Sequence, residues 1–241
     1  MLTEELFRDD AYRRHCDAVV VGADEAGIQL DRTVFYPTGG GQPGDRGRLV
    51  LADGTAIEIV DTVKGEGAGT ILHRPAADTP LPEFGARVSA ELDWDRRLRL
   101  MRMHTALHLL CRAVDGVVTG GQVGDGRGRL DFDIPDPVLD KEAIAATLNA
   151  WIAGDHAVSH RWIEDAELLA RPELVRTMSV RPPIGQGRVR LVEIAGVDLQ
   201  ACGGTHVRRT GEIGRLVVEK IEKKGRQNRR VAIAFAEPGG G

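Results

Sequence analysis

The hydrophobic and polar positions of the chain follow two different periods. In the first part, short β-branched runs alternate with Gly, Asp and Pro, and turn signals such as "ADG" and "GEGAG" separate the runs. This pattern predicts a small antiparallel β-barrel or sandwich. One more strand-like piece follows the prolines of "DTPLPEFG". We place a boundary after it, which predicts an N-terminal domain over residues 1–90 and a second domain over residues 91–241.

The period changes at Asp93, where apolar residues begin to recur at helical spacing. The segment "DWDRRLRLMRMHTALHLLCRAVDG" has a glycine just past its last apolar residue, which predicts a helix that ends there. A second helix is predicted over "DKEAIAATLNAWIAG", because Asp140 can cap its start and Gly154 can end it. The apolar stripe of the first helix consists of Leu100, Met103, Leu107, Leu110 and Val114.

Strand-like segments surround the two predicted helices, and the last of them contains a turn around Gly225. Antiparallel strands with helices on one face form an α+β domain. The predicted fold class is therefore α+β, with a small N-terminal β-barrel domain followed by an α+β domain whose helices pack on an antiparallel sheet. The four segments are "GRLDFDI", "SHRWI", "VRLVEIAGVDLQ" and "GRLVVEKIEKKGRQNRRVAIAF".

The composition is that of a soluble globular protein, since 42% of the 241 residues are hydrophobic and 28% are charged. The N-terminus lacks the apolar segment of a signal peptide, and no later run has the length of a membrane-spanning helix. Three scattered cysteines do not make a disulfide framework. We therefore expect a cytoplasmic protein without a membrane partner. The oligomeric state stays open, with a monomer as the simplest expectation.

Positive charge is unevenly placed along the chain, although the net charge is −4. Such clusters can contact phosphates. A solvated face balanced by Glu219 and Glu222 is an equally good interpretation. One cluster consists of Arg96, Arg97, Arg99 and Arg102, and the other of Arg215, Lys220, Lys223, Lys224, Arg226, Arg229 and Arg230.

Two pairs of soft side chains form a candidate metal site. His104 and His108 lie four residues apart on the predicted helix, so their rings project from neighbouring positions of one face. Cys202 and His206 flank two glycines, which allow a sharp turn that brings both side chains together. A thiolate with three imidazoles suits a tetrahedral Zn²⁺.

A second histidine pair shows that spacing alone is weak support for a metal site. His156 and His160 are also four residues apart, but they follow a helix-ending glycine in a strand-like segment, where such residues lie roughly 13 Å apart. We interpret both as surface or core histidines, together with His15 and His73.

The helical pair lacks the glutamate of an HExxH zinc peptidase, since Thr105 follows the first histidine. Four protein ligands also close the tetrahedron, which is typical of structural zinc sites. A zinc peptidase is therefore disfavoured, and the role of the metal stays open between structural and catalytic.

Four motifs together resemble the AlaX family of alanyl-tRNA editing proteins, which are free-standing relatives of the editing domain of alanyl-tRNA synthetase. Threonyl-tRNA synthetase carries a related domain. The resemblance covers nearly the whole chain, and the glycine-rich segment is similar to that of the longer AlaX class. The motifs are "TVFYPTGGGQPGDRGRL", "HTALHLL", "ACGGTHV" and "EIGRLVVEKIEKKGRQNRRVAIAF".

The resemblance implies a trans-editing hydrolase that deacylates mischarged tRNA(Ala), with serine as the main and glycine as the second expected amino acid. Such an enzyme acts on tRNA charged elsewhere and does not require ATP. One Zn²⁺ per chain is implied, with four residues at the positions of the family's ligands. They are His104, His108, Cys202 and His206.

The glycine-rich motif is implied to face the editing pocket, and either Thr33 or Thr38 is a candidate to contact a serine hydroxyl. The residues alone favour a simple turn between strands for Gly39–Gly41. The candidate catalytic residues are Thr33, Gly40, Gly41, Gln42 and Cys202. The candidate substrate-binding residues are Thr38, Gly39, Lys223, Lys224 and Arg226.

The expected chemistry needs a positioned water and stabilisation of charge on the ester oxygen. Glycines leave backbone N–H groups approachable, and the Gln42 amide can orient water. Two alternatives stay open. The chain is either a non-catalytic tRNA-binding module with a structural zinc, or a zinc hydrolase of small esters, and the basic C-terminal segment favours a tRNA partner over the latter.

Overall fold

The computed structural model describes residues 2–134, 139–171, 174–175 and 187–236. The chain divides into two compact units, Met1–Leu98 and Arg99–Gly241. This division falls inside a helix that begins at Trp94. The domain boundary that the sequence places at residue 90 stays a prediction.

The first unit is built on a closed β-barrel, as the sequence predicts. Six strands close it in the order β2-β3-β7-β6-β5-β8, and all of their pairings are antiparallel. Two further short strands, β1 and β4, pair in parallel beside it. The strands are β1 (Glu4–Glu5), β2 (His15–Asp24), β3 (Gly27–Leu30), β4 (Arg32–Thr33), β5 (Gly47–Leu51), β6 (Ala56–Lys64), β7 (Ile71–Pro75) and β8 (Arg87–Leu92).

The barrel closes because its strands alternate between buried apolar and exposed polar residues. In β6, Ile57 and Ile59 are buried while Glu58 is exposed, which is the period of a strand with one face in a core. The buried residues of the other strands complete this core, among them Val20, Ile28, Leu30, Leu49, Val88 and Ala90.

The second unit has the predicted α+β composition. Its two sheets are antiparallel, with strand orders β14-β15-β10-β9 and β11-β12-β13. The helices are α1 (Trp94–Ala113), α2 (Lys141–Ala153) and α3 (Asp165–Ala170). The strands are β9 (Val117–Val123), β10 (Arg127–Asp133), β11 (Val158–Glu164), β12 (Arg188–Ile194), β13 (Asp198–Ala201), β14 (Leu216–Lys223) and β15 (Asn228–Phe235).

Helix α1 is enclosed on more sides than its apolar stripe predicts. Every residue of that stripe is buried, but Met101, Ala106 and Leu109 on other faces are buried as well. Polar side chains on α1 must therefore find partners inside the protein, since a buried polar group without a hydrogen bond is costly.

Helix α2 has the predicted start and end. Asp140 accepts a hydrogen bond from the Ala143 N–H at 2.9 Å, which caps the first turn, and Gly154 follows the last helical residue. On the side facing β14, the Asn149 amide both donates to and accepts from the Leu216 backbone, each bond at 2.9 Å. A strand edge is thereby covered by a side chain.

Among the described residues, no helix combines the length and the apolar character that crossing a membrane requires.

Candidate functional site

The four residues of the sequence-derived metal site converge in the second unit. Their ligand atoms all lie within 4.8 Å of one another. Helix α1 presents His104 and His108 from adjacent turns, while Cys202 directly follows β13 and His206 follows the glycine turn. All four side chains are buried or half-buried.

Two of the donor separations match those of a tetrahedral metal site. Cys202 Sγ lies 3.6 Å from His104 Nε2 and 3.3 Å from His206 Nε2. Zinc–sulfur and zinc–nitrogen bonds at the tetrahedral angle place such donors roughly 3.5 Å apart. These two separations therefore match a tetrahedral site, and the four residues together could hold a metal ion.

The other ring nitrogens of two histidines are held by neighbouring side chains. His108 Nδ1 lies 3.1 Å from Asp198 Oδ2, and Gln200 Nε2 donates to the same carboxylate oxygen at 2.7 Å. Thr105 Oγ1 lies 3.1 Å from His206 Nδ1. Each Nδ1 faces such a partner, so Nε2 is the ring nitrogen left for a metal ion, as in carboxylate–histidine–metal arrangements.

The glycine turn that carries the last two ligands is fastened by Arg190 on β12. The Arg190 guanidinium donates to the carbonyl oxygens of Cys202 and Gly204, at 3.2 and 3.0 Å. The Cys202 N–H donates in turn to the Arg190 carbonyl at 3.1 Å. The backbone freedom of the glycines allows the sharp turn, and the hydrogen bonds from Arg190 hold it in place.

The electrostatics of the cluster favour a thiolate. Burial opposes the charged form of Cys202, but the charges of His104 and His206 outweigh it and hold the pKa of the thiol well below its usual value. Burial and the charge of His104 hold the pKa of His206 well below its ordinary value. Burial opposes a charge on His108, but the Asp198 carboxylate and Cys202 outweigh it and raise the pKa of His108 to about 10. A zinc ion takes a thiolate with neutral imidazoles, so metal binding at this cluster would release the proton of His108.

The second histidine pair lies elsewhere in the unit. His156 precedes β11 and its Nδ1 contacts the Ala195 carbonyl oxygen at 3.0 Å, whereas His160 is exposed on β11 itself. Neither belongs to the cluster of potential ligands.

The glycine-rich motif forms a two-residue hairpin turn in the first unit. The backbone groups of Gly39 and Gln42 exchange two hydrogen bonds of 3.0 Å. Gly40 and Gly41 between them have φ values of 60° and 80°, the left-handed pair that a type I′ turn requires. Both are exposed, while Gln42 is only 1% exposed. The turn that the residues alone predict is therefore present, with its tip in solvent.

The base of this glycine-rich turn is fixed by polar contacts. The Gly44 N–H donates to Thr38 Oγ1 at 2.8 Å, and the Thr38 N–H donates to the Thr62 carbonyl at the same distance. The Tyr36 N–H donates to an Asp45 carboxylate oxygen at 2.6 Å. The exposed glycines are therefore carried by a preorganised loop.

The two threonine candidates have different surroundings. Thr33 is completely buried, and its Oγ1 lies 2.7 Å from His73 Nε2 and accepts from the Phe35 N–H at 3.0 Å. Thr38 is exposed at the edge of the glycine-rich loop. Of the two hydroxyls, that of Thr38 is the one within reach of a ligand in this conformation.

The basic residues near the C-terminus meet at the β14–β15 hairpin. Lys223 ends β14, and Lys224 and Arg226 lie in the connection, all exposed. Glu222 lies 3.6 Å from Lys224 and 3.0 Å from Lys220, so one acid is shared by two of the cations. The hairpin tip is consequently more basic than its surroundings.

Comparisons with known proteins place these features in one family. Residues 189–232 match the threonyl and alanyl tRNA synthetase second additional domain, and residues 9–96 match the class II (A) tRNA synthetases. An alanyl-tRNA editing protein AlaX-M from Methanosarcina mazei is 36% identical over 259 residues, which cover 100% of this chain and 99% of the relative. The chain belongs to the alanyl-tRNA editing protein family.

Other relatives agree with this assignment. The AlaX-M protein of Saccharolobus solfataricus is 36% identical, with 95% of this chain and 98% of the relative covered. An alanine–tRNA ligase from Halorubrum lacusprofundi is 37% identical over 232 residues, which span 91% of this chain but 24% of the ligase. This member of the family therefore matches a part of the ligase and the whole of the free-standing proteins.

The structure of this alanyl-tRNA editing family member adds neighbours that the sequence analysis missed. Asp198 and Gln200 alternate with Cys202 along β13 and its end, so all three face the same side. Asp198 and Gln200 could have been found from the sequence, because they are polar residues at every second position of an otherwise apolar strand. Thr105 and Arg190 gave no such signal, because their partners are distant in the sequence.

Proposed function

We propose that the protein is a trans-editing hydrolase that deacylates mischarged tRNA(Ala), with seryl-tRNA(Ala) as the main and glycyl-tRNA(Ala) as the second substrate. The observation that carries the proposal is the combination of a four-donor metal cluster with full-length similarity to AlaX-M proteins. The reaction is hydrolysis of the ester between the amino acid and the terminal ribose. An ester is already an activated acyl group, so the reaction needs no ATP.

The metal of the proposal is Zn²⁺, one per chain. His104, His108, Cys202 and His206 hold it, and their chemistry and spacing support this assignment. When bound, zinc supplies a fixed positive charge beside the substrate. Asp198 and Thr105 orient two of the imidazoles, and Arg190 holds the turn that carries Cys202.

The glycine-rich loop supplies the groups that bind the ester. The exposed N–H groups of Gly40 and Gly41 suit a developing oxyanion, because backbone donors fixed in a preorganised turn need no reorganisation. Gly39 shapes the start of this turn, and we assign the orientation of the attacking water to the Gln42 amide, which is buried beside the exposed glycines. We retain Thr33 as a positioning residue that fixes the strand before the loop.

Rejection of alanine follows from hydrogen bonding to the serine side chain. We assign that contact to Thr38, whose exposed hydroxyl lies on the same loop as the ester-binding glycines. A site built to hydrogen-bond a hydroxyl discriminates strongly against a substrate that lacks it. Lys223, Lys224 and Arg226 contact the tRNA backbone, and the protein acts in the cytoplasm.

Deacylation assays with charged tRNAs test the proposal. Purified zinc-loaded protein is expected to deacylate seryl-tRNA(Ala) and to spare alanyl-tRNA(Ala). Cys202→Ala removes a ligand and should lose most activity together with bound zinc. Cys111→Ala is the matched control, since this buried cysteine of α1 is not among the ligands. Folded, zinc-loaded protein that deacylates neither seryl- nor glycyl-tRNA(Ala) contradicts the proposal.

The two alternatives give different results in the same assays. A non-catalytic tRNA-binding module binds tRNA(Ala) without hydrolysis, and Gln42→His leaves that binding intact. A hydrolase of small esters acts on serine ethyl ester as efficiently as on seryl-tRNA(Ala). The basic hairpin of Lys223, Lys224 and Arg226 favours a tRNA substrate over a small ester.

A further inference from the structure

Trp162 lies in one cross-strand row with the metal ligand Cys202. The register of β11 and β12 pairs Trp162 with Arg190. The register of β12 and β13 pairs Leu191 with Ala201, and the Cys202 N–H bonds to the Arg190 carbonyl one step further along. Directly opposed residues of antiparallel strands project from the same face. The row therefore runs Trp162, Arg190, Cys202.

This face of the sheet is the one that carries the metal site. Gln200 shares the side-chain direction of Cys202 and contacts His108 Nδ1 at 3.0 Å. The opposite face, with Ile163 and Leu191, packs in a separate apolar cluster with Leu168 of α3. Trp162 is consequently turned toward the metal side and away from that cluster.

The indole is close enough to the ligands to contact the same substrate. Neighbouring strands lie about 4.8 Å apart, so two steps along the row separate Trp162 from Cys202 by roughly 10 Å. This is the scale of one nucleoside that carries an aminoacyl ester. Arg190 lies between them, but it is buried and its guanidinium donates to the carbonyl oxygens of the glycine turn. The side chains at the two ends of the row, Trp162 and Cys202, are therefore the ones that can contact the substrate.

Trp162 is half-buried and an exposed arginine lies over it. The Arg188 guanidinium carbon is 4.6 Å from the centroid of the Trp162 ring. Glu164 lies opposite Arg188 in the strand register and is the acidic residue next to this arginine. His160 is exposed two residues before Trp162 on β11. An aromatic ring with an adjacent guanidinium combines a stacking surface with a phosphate-binding group.

We propose that Trp162 and Arg188 bind the 3′-terminal nucleotide of the charged RNA. The indole stacks on the base, and the guanidinium moves off the ring to pair with the phosphate of that nucleotide. Stacking tolerates any base, so the pair anchors the RNA end without reading its sequence. This inference rests on the proposed function, because it names the part of the substrate that the same site holds.

Kinetics on two substrates test the stacking role. Trp162→Ala should raise KM for seryl-tRNA(Ala) by about 10- to 100-fold, the loss expected from one base–aromatic stack, with a small change in kcat. Trp162→Phe should restore most of the affinity, since phenylalanine also stacks. Hydrolysis of serine ethyl ester, which has no base, should be the same in all three proteins. Trp151→Phe on α2 is the control for loss of an indole elsewhere.

Binding of adenosine 5′-monophosphate gives a readout independent of catalysis. The nucleotide should quench the tryptophan fluorescence of the wild type, and Trp162→Phe should abolish the quench although Trp94 and Trp151 remain. Arg188→Ala should weaken the binding and reduce its dependence on salt, because the phosphate then has one cationic partner fewer. Arg188→Lys should retain part of the affinity.

The outcomes separate this inference from the proposed function. If the wild type deacylates seryl-tRNA(Ala) and Trp162→Ala keeps the same KM, the stacking role is wrong and the proposed function stands. If Trp162→Ala loses activity on serine ethyl ester as well, the residue is structural and the inference is also overturned. If the wild type is inactive on charged tRNA, the proposed function fails, and the nucleotide titration decides the inference alone.

Discussion

Arg97 and Asp45 form an ion pair inside the first unit, with side-chain exposures of 0% and 1%. The Arg97 guanidinium also donates to the carbonyl oxygens of Ala11 and Val34, at 2.9 and 2.7 Å. Its charge and its donors are therefore satisfied within the protein. Asp45 lies inside the glycine-rich motif and accepts a hydrogen bond from the Tyr36 N–H, so the pair fixes the base of that loop.

Breaking this pair from one side should destabilise the protein strongly. Asp45→Asn leaves the Arg97 charge buried without its counter-ion, and we expect a loss of about 3–5 kcal/mol in the free energy of unfolding. Urea denaturation measures the loss. Glu91→Gln is the control, because Arg48 and Glu91 form an exposed pair with side-chain exposures of 60% and 33%, and we expect a loss below about 1 kcal/mol there. Equal losses at both sites would contradict this account.

Substitution by alanine should change the stability strongly at one glycine of this motif and little at another. A Cβ on Gly44 would lie 2.0 Å from the Thr62 carbonyl oxygen, whereas the nearest atoms to a Cβ on Gly39 are 3.6 Å away. Gly44→Ala should destabilise the protein by about 3 kcal/mol or more and reduce deacylation, while Gly39→Ala should leave the folding stability nearly unchanged. Thermal unfolding and the seryl-tRNA(Ala) assay measure both. A tolerated Gly44→Ala would show that the loop is less rigid than its contacts indicate.

The neutral state of His73 should make stability fall in mild acid. Burial lowers the pKa of His73 to about 4, and its Nδ1–H donates to the Ile28 carbonyl at 2.9 Å. The Nε2 then accepts from the Thr33 hydroxyl. Below pH about 6.5 the unfolded chain binds a proton on this histidine that the folded chain does not, so stability falls until pH about 4.

The full effect of this linkage is about 3 kcal/mol, since a pKa difference of one unit is worth about 1.4 kcal/mol. Comparison of the wild type with His73→Gln by urea denaturation at several pH values isolates the contribution from that of other groups. The wild type should lose more stability than the variant between neutral pH and pH about 4. Parallel curves would mean that His73 titrates normally in the folded state.

The carboxylate beside His108 of the candidate metal site should control metal affinity. Asp198→Asn keeps the size of the side chain but removes the charge that faces Nδ1. We expect zinc affinity to fall about 10- to 100-fold, measured by competition with a chelator. The visible spectrum of the cobalt-substituted protein should shift as the imidazole reorients. Glu193→Gln, exposed on the neighbouring strand, should change neither, and an unaltered affinity in Asp198→Asn would rule out this role.

Removal of charge from the β14–β15 hairpin should weaken tRNA binding in a salt-dependent way. Each cation that no longer pairs with a phosphate reduces the steepness of log affinity against log salt by about 1. Lys223→Gln combined with Arg226→Gln should therefore reduce the slope by about 2 and weaken binding of all tRNAs alike. Arg112→Gln, which removes an exposed cation of α1 that donates to the Val197 carbonyl, should leave the slope unchanged. A double variant with the wild-type slope would place the tRNA elsewhere.

The elements that the sequence predicted are those whose signals are local. The ends of α2 were predicted correctly from Asp140 and Gly154, because capping depends on residues within one turn of the helix end. The α+β class and the N-terminal barrel followed from strand alternation and turn residues. The four potential ligands were found because a helical pair and a glycine turn each bring two donors together within five residues.

Relationships across long sequence distances were not predictable in the same way. Arg97 and Asp45 are 52 residues apart in the sequence, and Thr33 and His73 are 40 residues apart. Helix α1 also shows the limit of periodicity, since its apolar stripe predicted the helix but not the burial of Met101, Ala106 and Leu109 on its other faces. The partners of buried polar residues are set by tertiary contacts, which one sequence does not display.

The Asn149 side chain has a consequence for how the protein avoids self-association. An edge strand such as β14 offers unpaired N–H and C=O groups to strands of other molecules. Asn149 occupies both backbone groups of Leu216 as a neighbouring strand would, and Lys141 takes the Glu219 carbonyl at 3.0 Å. Side chains of helix α2 thus cover the edge of the sheet at which a strand from a second copy of the protein could otherwise pair, which opposes edge-to-edge aggregation.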